Sequence, residues 1–231
     1  MEAIMPIMMN VKDKECVVVG GGQVAERKIK SLMDAKANIT VISPIVTAQI
    51  KRWEKEGILR VSYKKYQLTE LGSAFVVIAA TDQRKVNLQV YEDAKRRRIL
   101  VSVVDCPECS DFIFPATMRR GKLHIAISTS GASPSVTKKI KNELEFLYGE
   151  EYELYLDFLS DFRAFIKKAV EDTKQRQAIS KDILKIDIIG FIRTGKFQSF
   201  RKSLFARLED PEFIYEKKWI ERYLEDKDEG D

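Results

Sequence analysis

Several groups of residues in this chain could do chemistry by their type and spacing. Gly20, Gly22 and Ala25 stand in "VVVGGGQVAERK" as G-x-G-x-x-A. In such a loop the first glycine permits a tight turn and the second lets backbone approach a pyrophosphate. The small third residue allows a helix and a strand to pack closely. Asp105 closes the apolar run "ILVSVVD". A carboxylate held at the end of a buried strand is a candidate general base. The same position suits a turn or cap residue, and spacing alone leaves both open. Cys106 and Cys109 form C-P-E-C, a pair that can bind metal or cycle as a disulfide. A structural zinc site needs further ligands, and the chain offers only Cys16 and His124. The preferred reading is two incidental loop thiols with no metal assigned, and a redox or iron role for the pair stays open. Finally, "ISTSGASPSVTKKIK" places Ser128, Thr129 and Ser130 ahead of a helix that begins near Ser133 to Ser135. Lys138 and Lys139 follow, and Arg119 and Arg120 precede. Backbone N–H groups, hydroxyls and cations together suit a ligand with several carboxylates.

The elements that must position these residues are legible in outline. "CVVVG", "AFVVIAA" and "ILVSVV" are apolar runs rich in β-branched residues, as expected of strands buried on both faces of a parallel sheet, and "NITVIS" and "ILRVSYKKY" read as two further strands. Between them, "QVAERKIKSLMDA", "VTAQIKRWEKEG" and "KVNLQVYEDAKRRR" have helical spacing. This alternation argues for βαβ units, so the fold class is α/β. The glycine loop then lies between a strand and a helix, the context a dinucleotide site requires. The second strand ends in Ser43 and Pro44, with neither an acidic residue nor an arginine. Ser43 can bond a ribose hydroxyl but cannot neutralise a 2′-phosphate, which favours NAD over NADP. Ala80 and Thr81 end "AFVVIAAT" at the carboxyl edge of the sheet, where small residues admit a cofactor and where Thr81 or Asp82 could equally cap the next helix.

The pattern changes after Asp105. "DFIFPATMRRGKLHIAIS" reads as two antiparallel strands joined around Arg119 to Lys122, and helical periodicity dominates from Glu151. The expected division is 1–112, an α/β domain; 113–150, a small α+β segment; and 151–231, helical. The 231 residues carry a net charge of +5, with 45% hydrophobic and 32% charged residues, ordinary for a soluble globular protein. No apolar run approaches the ~20 residues of a membrane span. No secretory signal is read at the start, which points to the cytoplasm. Nothing resembles a nucleic-acid-binding signature. One histidine leaves no room for a His-based metal cluster.

Taken in order, "VVVGGGQVAERK", "IAATDQRKVN", "VVDCPECSDFIFPA" and "LHIAISTSGASP" closely resemble the precorrin-2 dehydrogenase / sirohydrochlorin ferrochelatase family of sirohaem synthesis. The resemblance covers about residues 3–160. It implies a Rossmann-type NAD-binding domain, a small dimerisation domain and a helical domain, assembled as a homodimer. It implies that precorrin-2 is oxidised to sirohydrochlorin with NAD⁺ as acceptor, and that Asp105 is the catalytic group. Gln23 and Val24 match glycine-loop contacts to the cofactor, and Pro44 and Ile45 match contacts after the second strand. The resemblance leaves open whether Fe²⁺ is also a substrate for insertion. Thr129 stands where the fused enzymes have a serine that can be phosphorylated, and their downstream methyltransferase domain has no counterpart in this chain. The competing reading is a non-catalytic NAD-binding, redox-sensing or regulatory module, which would need neither Asp105 nor the small-residue loop.

Overall fold

The structure is a computed structural model that describes residues 4–104, 106–216 and 218–228. The chain divides into two compact units, Met1–Phe114 and Pro115–Asp231.

The first unit is built on a parallel sheet. Strands β1 (Glu15–Val19), β2 (Asn38–Ile42), β3 (Arg60–Ser62), β4 (Val76–Ala79) and β5 (Leu100–Val103) lie in the order β3-β2-β1-β4-β5. Every pairing is parallel, with Val17 opposite both Thr40 and Val77. The chain steps from β1 to β2 and β3 on one side, then crosses back to β4 and β5. The carboxyl ends of β1 and β4 therefore flank the point where strand order reverses, the usual ligand crevice of such sheets. Helices α1 (Gln23–Asp34), α2 (Ala48–Lys55) and α3 (Arg84–Arg96) make three of the crossovers, and the return from β3 to β4 runs through a 3₁₀ turn at Leu68–Leu71. Alternate residues of β1 feed two cores. Cys16 and Val18 pack with Ala25 and Ile29 of α1, whereas Val17 and Val19 pack with Val90 and Ala94 of α3. Only three residues of "ILRVSYKKY" form the strand β3, because an edge strand with exposed Arg60 has one neighbour to hold it.

Cys16 is buried within this sheet, and burial raises its thiol pKa from about 9.0 to about 11. The raised value means that the folded state binds this proton more tightly than the unfolded state does. The resulting stabilisation is full below pH 9.0 and is lost as pH rises toward about 11. Cys16 is expected to resist alkylation at mildly alkaline pH in the folded chain and to react on unfolding. Mass spectrometry of the Cys16 peptide reads this directly, and rapid labelling in the folded chain would contradict it.

The second unit opens with an antiparallel hairpin, β6 (Ala116–Arg120) and β7 (Leu123–Ile127), turned at Gly121 and Lys122. Helix α4 (Pro134–Leu147) lies against both strands. Helix α5 (Glu151–Ala169) then places Phe158, Phe162 and Ile166 on one face at intervals of four residues. They meet Phe197, Phe200, Leu204 and Leu208 of α8 (Phe197–Leu208), and Trp219 and Tyr223 of α10 (Trp219–Asp228), in a dense aromatic core. Between them run α6 (Thr173–Asp182), α7 (Ile188–Arg193) and α9 (Pro211–Tyr215). "SKDILKIDIIGFI" and "PEFIYEKKWIERYL", each with one helical periodicity, are broken in two. In the first, Asp187 accepts from the Gly190 N–H and caps α7 afresh. Among the described residues, no helix is long and apolar enough to cross a membrane.

Candidate dinucleotide and catalytic site

The site residues of the first unit converge at the carboxyl edge of the sheet. Gly20 follows β1 at φ +123°, a backbone conformation open to glycine and little else. A Cβ there would fall inside contact with the Ala80 carbonyl, so the turn after β1 lies directly on the turn after β4. Gly21 lies as tightly on the turn after β2, where a Cβ would come within 2.9 Å of Ser43 Oγ. Gly22 is different. A Cβ on it would meet nothing within 4 Å, and both Gly22 and Gln23 are exposed. Among the described residues no side chain caps α1, so its first N–H groups remain for an incoming anion. A buried, close-packed pair of glycines followed by an open one is the shape that a pyrophosphate on a helix N-terminus requires, and these residues fit a nicotinamide dinucleotide.

The turns are fastened to one another. Gly20 N–H donates to Ile42 O at 3.0 Å, and Thr47 N–H donates to Gly21 O at 2.9 Å. Thr47 Oγ1 caps α2 by accepting from Ile50 N–H and donates to Glu26 Oε2 at 2.6 Å, which ties α1 to α2. Pro44 and Ile45 are exposed, Ile45 by 81%, and so are available to a flat ligand face. Ser43 is buried, and its hydroxyl donates to Ile45 O at 2.7 Å. Its proton is therefore spent on shaping the turn, and only its lone pairs are left for a ribose. Val24 packs partly against the core, which leaves its backbone N–H as the group it could offer a ligand.

After β4, the turn is held by a residue that the sequence reading missed. Asn87 is buried on α3. Its Oδ1 accepts from Thr81 N–H at 3.1 Å and from Thr81 Oγ1 at 2.7 Å, and its Nδ2 donates to Thr81 O at 3.0 Å. Thr81 therefore does not cap α3; Gln83 occupies the N-cap position, and neither Thr81 nor Asp82 does. The available signal was a polar residue on the helix stripe that also carries Val90 and Ala94. Asn87→Ala leaves the Thr81 N–H without its partner, and a buried unsatisfied donor costs about 1–3 kcal/mol. A lowered urea midpoint together with weaker dinucleotide binding is expected. An unchanged midpoint would refute the clamp.

Asp105 lies outside the described residues. Its neighbours are firmly placed. Val104 N–H donates to Ala79 O at 2.9 Å, at the end of β4, and Cys106 N–H donates to Val103 O. The first of these bonds lies next to the turn that carries Ala80 and Thr81. Cys106 and Cys109 are not incidental thiols. A short 3₁₀ turn at Pro107–Cys109 joins them as a disulfide.

The proposed substrate residues are all in the second unit. Arg119 and Arg120 are on β6, and Lys138 and Lys139 are exposed on α4, which packs on that strand. The hydroxyls between them hold the loop together. Ser128 Oγ accepts from Ser130 N–H at 3.0 Å, and Thr129 Oγ1 accepts from Ser133 N–H at 3.2 Å. Thr129 Oγ1 also stands 3.1 Å from Thr137 Oγ1, and Ser133 caps α4 through the Val136 N–H. Ser130 and Gly131 both have positive φ, and Gly131 faces open space. The loop is thus a prearranged, exposed backbone surface more than a row of free hydroxyls.

Comparisons with known proteins agree with this architecture. Residues 7–116 match a putative NAD(P)-binding family, and residues 120–145 match the central part of a sirohaem biosynthesis protein family. A precorrin-2 dehydrogenase of Priestia megaterium is 36% identical over 77% of this chain and 88% of that protein. A siroheme synthase of Nitrosococcus oceani is 34% identical over 89% of this chain and 44% of that protein, so the chain spans less than half the length of that longer relative. The solved structure of SirC, a precorrin-2 dehydrogenase, superposes with a TM-score of 0.71 at 32% identity, covering 87% of this chain and all of that one. The chain belongs to the family of the precorrin-2 dehydrogenases and the matching part of the sirohaem synthases.

Proposed function

We propose that this chain dehydrogenates precorrin-2 to sirohydrochlorin with NAD⁺ as the acceptor. The observation that carries the reading is the open position at Gly22, set between two close-packed glycines and the uncapped start of α1. The kinship with a dehydrogenase over most of both chains supports it. A bound nicotinamide supplies the hydride acceptor. Gly20 and Gly21 hold the loop against the turns after β4 and β2. Gln23 and the Val24 N–H at the start of α1 face the phosphates. Pro44 and Ile45 cover the adenosine end, with Ala80 and Thr81 below the cofactor. NAD is favoured over NADP because "SPIVT" after β2 contains no basic residue.

Asp105, as a carboxylate, takes the proton that must leave the macrocycle with the hydride. Arg119, Arg120, Lys138 and Lys139, with the backbone around Ser128, Thr129 and Ser130, bind substrate carboxylates. The hairpin and α4, within 113–150, form a homodimer contact, because two short strands alone bury too little to be stable. Light scattering at micromolar concentration should give the mass of a dimer.

Anaerobic incubation with precorrin-2 and NAD⁺ is the test of the dehydrogenase reading. NADH and sirohydrochlorin should appear together in equal amounts. NAD binding without turnover would favour the non-catalytic module instead. Addition of Fe²⁺ to the same cuvette then reports whether sirohydrochlorin goes on to sirohaem.

A further inference from the structure

We propose that Cys106, Glu108 and Cys109, once the disulfide is reduced, hold a soft divalent cation. This site does not depend on the dehydrogenase reading. The geometry follows from the turn. Residues three apart in a 3₁₀ turn eclipse one another, so Pro107–Cys109 brings both sulfurs to one side, close enough to bond. The carboxylate between them comes to the same side, with Cys106 Sγ 3.2 Å from Glu108 Oε1. One ligand atom from each of the three residues lies within 4.8 Å of the others.

The turn is braced from behind. Ser110 Oγ donates to Cys106 O at 3.0 Å and accepts from Val103 N–H at 2.9 Å. Cys109 N–H donates to Cys106 O at 3.0 Å. A ligand set held in this way loses little freedom on binding.

The donor set selects its ion. Two thiolates and one carboxylate suit Zn²⁺, Co²⁺ or Fe²⁺ in tetrahedral geometry, and they do not suit Mg²⁺ or Ca²⁺, which take oxygen ligands. Three protein ligands leave a fourth position for water or another ligand. Burial adds a reason for the cation. Cys106 and Cys109 are only 8% and 9% exposed, and a thiolate in an apolar surrounding is disfavoured without a compensating charge. Glu108 is exposed and gives the ion a way in.

The bridged form and the metal form exclude each other, because both use the same sulfurs. Reduction by a dithiol transfers two electrons and two protons to Cys106 and Cys109, and the dithiol becomes a disulfide. Binding of the divalent ion then displaces the two protons.

The test uses the full chain, reduced with a phosphine and titrated anaerobically with Co²⁺. Thiolate-to-cobalt charge-transfer absorption should grow, saturate at one ion per chain, and vanish when Zn²⁺ is added. The chain reoxidised to the disulfide should show none. Cys106→Ser and Cys109→Ser should each abolish it, with thermal unfolding confirming that the variants are folded. Glu108→Gln changes only an exposed side chain and should weaken binding by about tenfold or more, the order in which supporting groups act at metal sites. Absence of the band in the reduced chain, or its persistence in the double serine variant, would overturn the site. Undiminished affinity in Glu108→Gln would overturn the three-ligand arrangement.

Discussion

Gly22→Asp should leave a folded chain that no longer binds NAD⁺, whereas Gly20→Ala should strongly destabilise the first unit without touching the ligand's side of the loop. At Gly22 the backbone is extended, with φ −86° and ψ −174°, which any residue adopts, and an added Cβ meets nothing within 4 Å. Aspartate is also among the preferred N-cap residues, so stability should hold or rise. The new carboxylate nevertheless stands where the proposed site puts the pyrophosphate. A like charge at about 4 Å costs about 4 kcal/mol at the effective dielectric near a protein surface, which is roughly a thousandfold in Kd.

Gly20 is the opposite case. Its φ of +123° strains any other residue, at about 1–3 kcal/mol. Its Cβ would press on the Ala80 carbonyl and lie 3.1 Å from Thr81 N. Those are backbone atoms pinned by Asn87, so overpacking adds about 1–3 kcal/mol more. Together these come to about 2–6 kcal/mol, a large share of the stability of a domain held by only about 5 kcal/mol and a smaller share where about 15 holds it. Calorimetric titration with NAD⁺ and urea unfolding separate the two outcomes. Normal affinity in folded Gly22→Asp would remove the loop from the cofactor site.

Asp105→Asn should lower dehydrogenase kcat by about 10²–10⁴, the usual contribution of a positioned general base, with NAD⁺ affinity unchanged. The substitution keeps the size of the side chain and removes its capacity to take a proton. It is a fair test because the flanking residues are fixed by main-chain bonds that the side chain does not make: Val104 to Ala79, and Cys106 to Val103. Cys106→Ser and Cys109→Ser are the natural controls for disturbance of the same loop. A wild-type rate in Asp105→Asn would transfer the role to Ser128, Thr129 or the substrate's own carboxylates.

What could be read in the chain beforehand was what depends on neighbours in sequence. The glycine loop and the apolar strands are local patterns, so the order of strands and helices in the first unit could be set out from them. The clamp on Thr81 could not, because Asn87 acquires its meaning only when α3 folds back beneath the turn after β4. Ser43 was assigned to a ribose because a hydroxyl at that position can reach one. Its donation to Ile45 O, which leaves only the lone pairs for that role, depends on a turn that the sequence does not show. The bond between Cys106 and Cys109 was likewise out of reach, since C-x-x-C admits a metal, a bridge or neither until the turn is known. The breaks within the C-terminal helices are also invisible to periodicity, because the apolar stripe continues across Ile186 and Asp187 while the backbone stops and is capped again.

β5 is one of the two edge strands of its sheet, and such a strand ordinarily offers a row of unused main-chain groups to any passing chain. Here the returning segment takes them. Asp111 N–H donates to Val101 O at 2.8 Å, Asp111 Oδ2 accepts from Val101 N–H at 3.1 Å, and Ser110 Oγ accepts from Val103 N–H. Lys95 secures the return through a 2.7 Å ion pair with Asp111. The peptide that leads away from the proposed base is thus also the cover that keeps one sheet from adding to another. Lesions at Ser110 or Asp111 would consequently surface as inclusion bodies and low yield before any kinetic defect could be measured, and a screen scored on cell-extract activity alone would mistake them for damage to the chemistry.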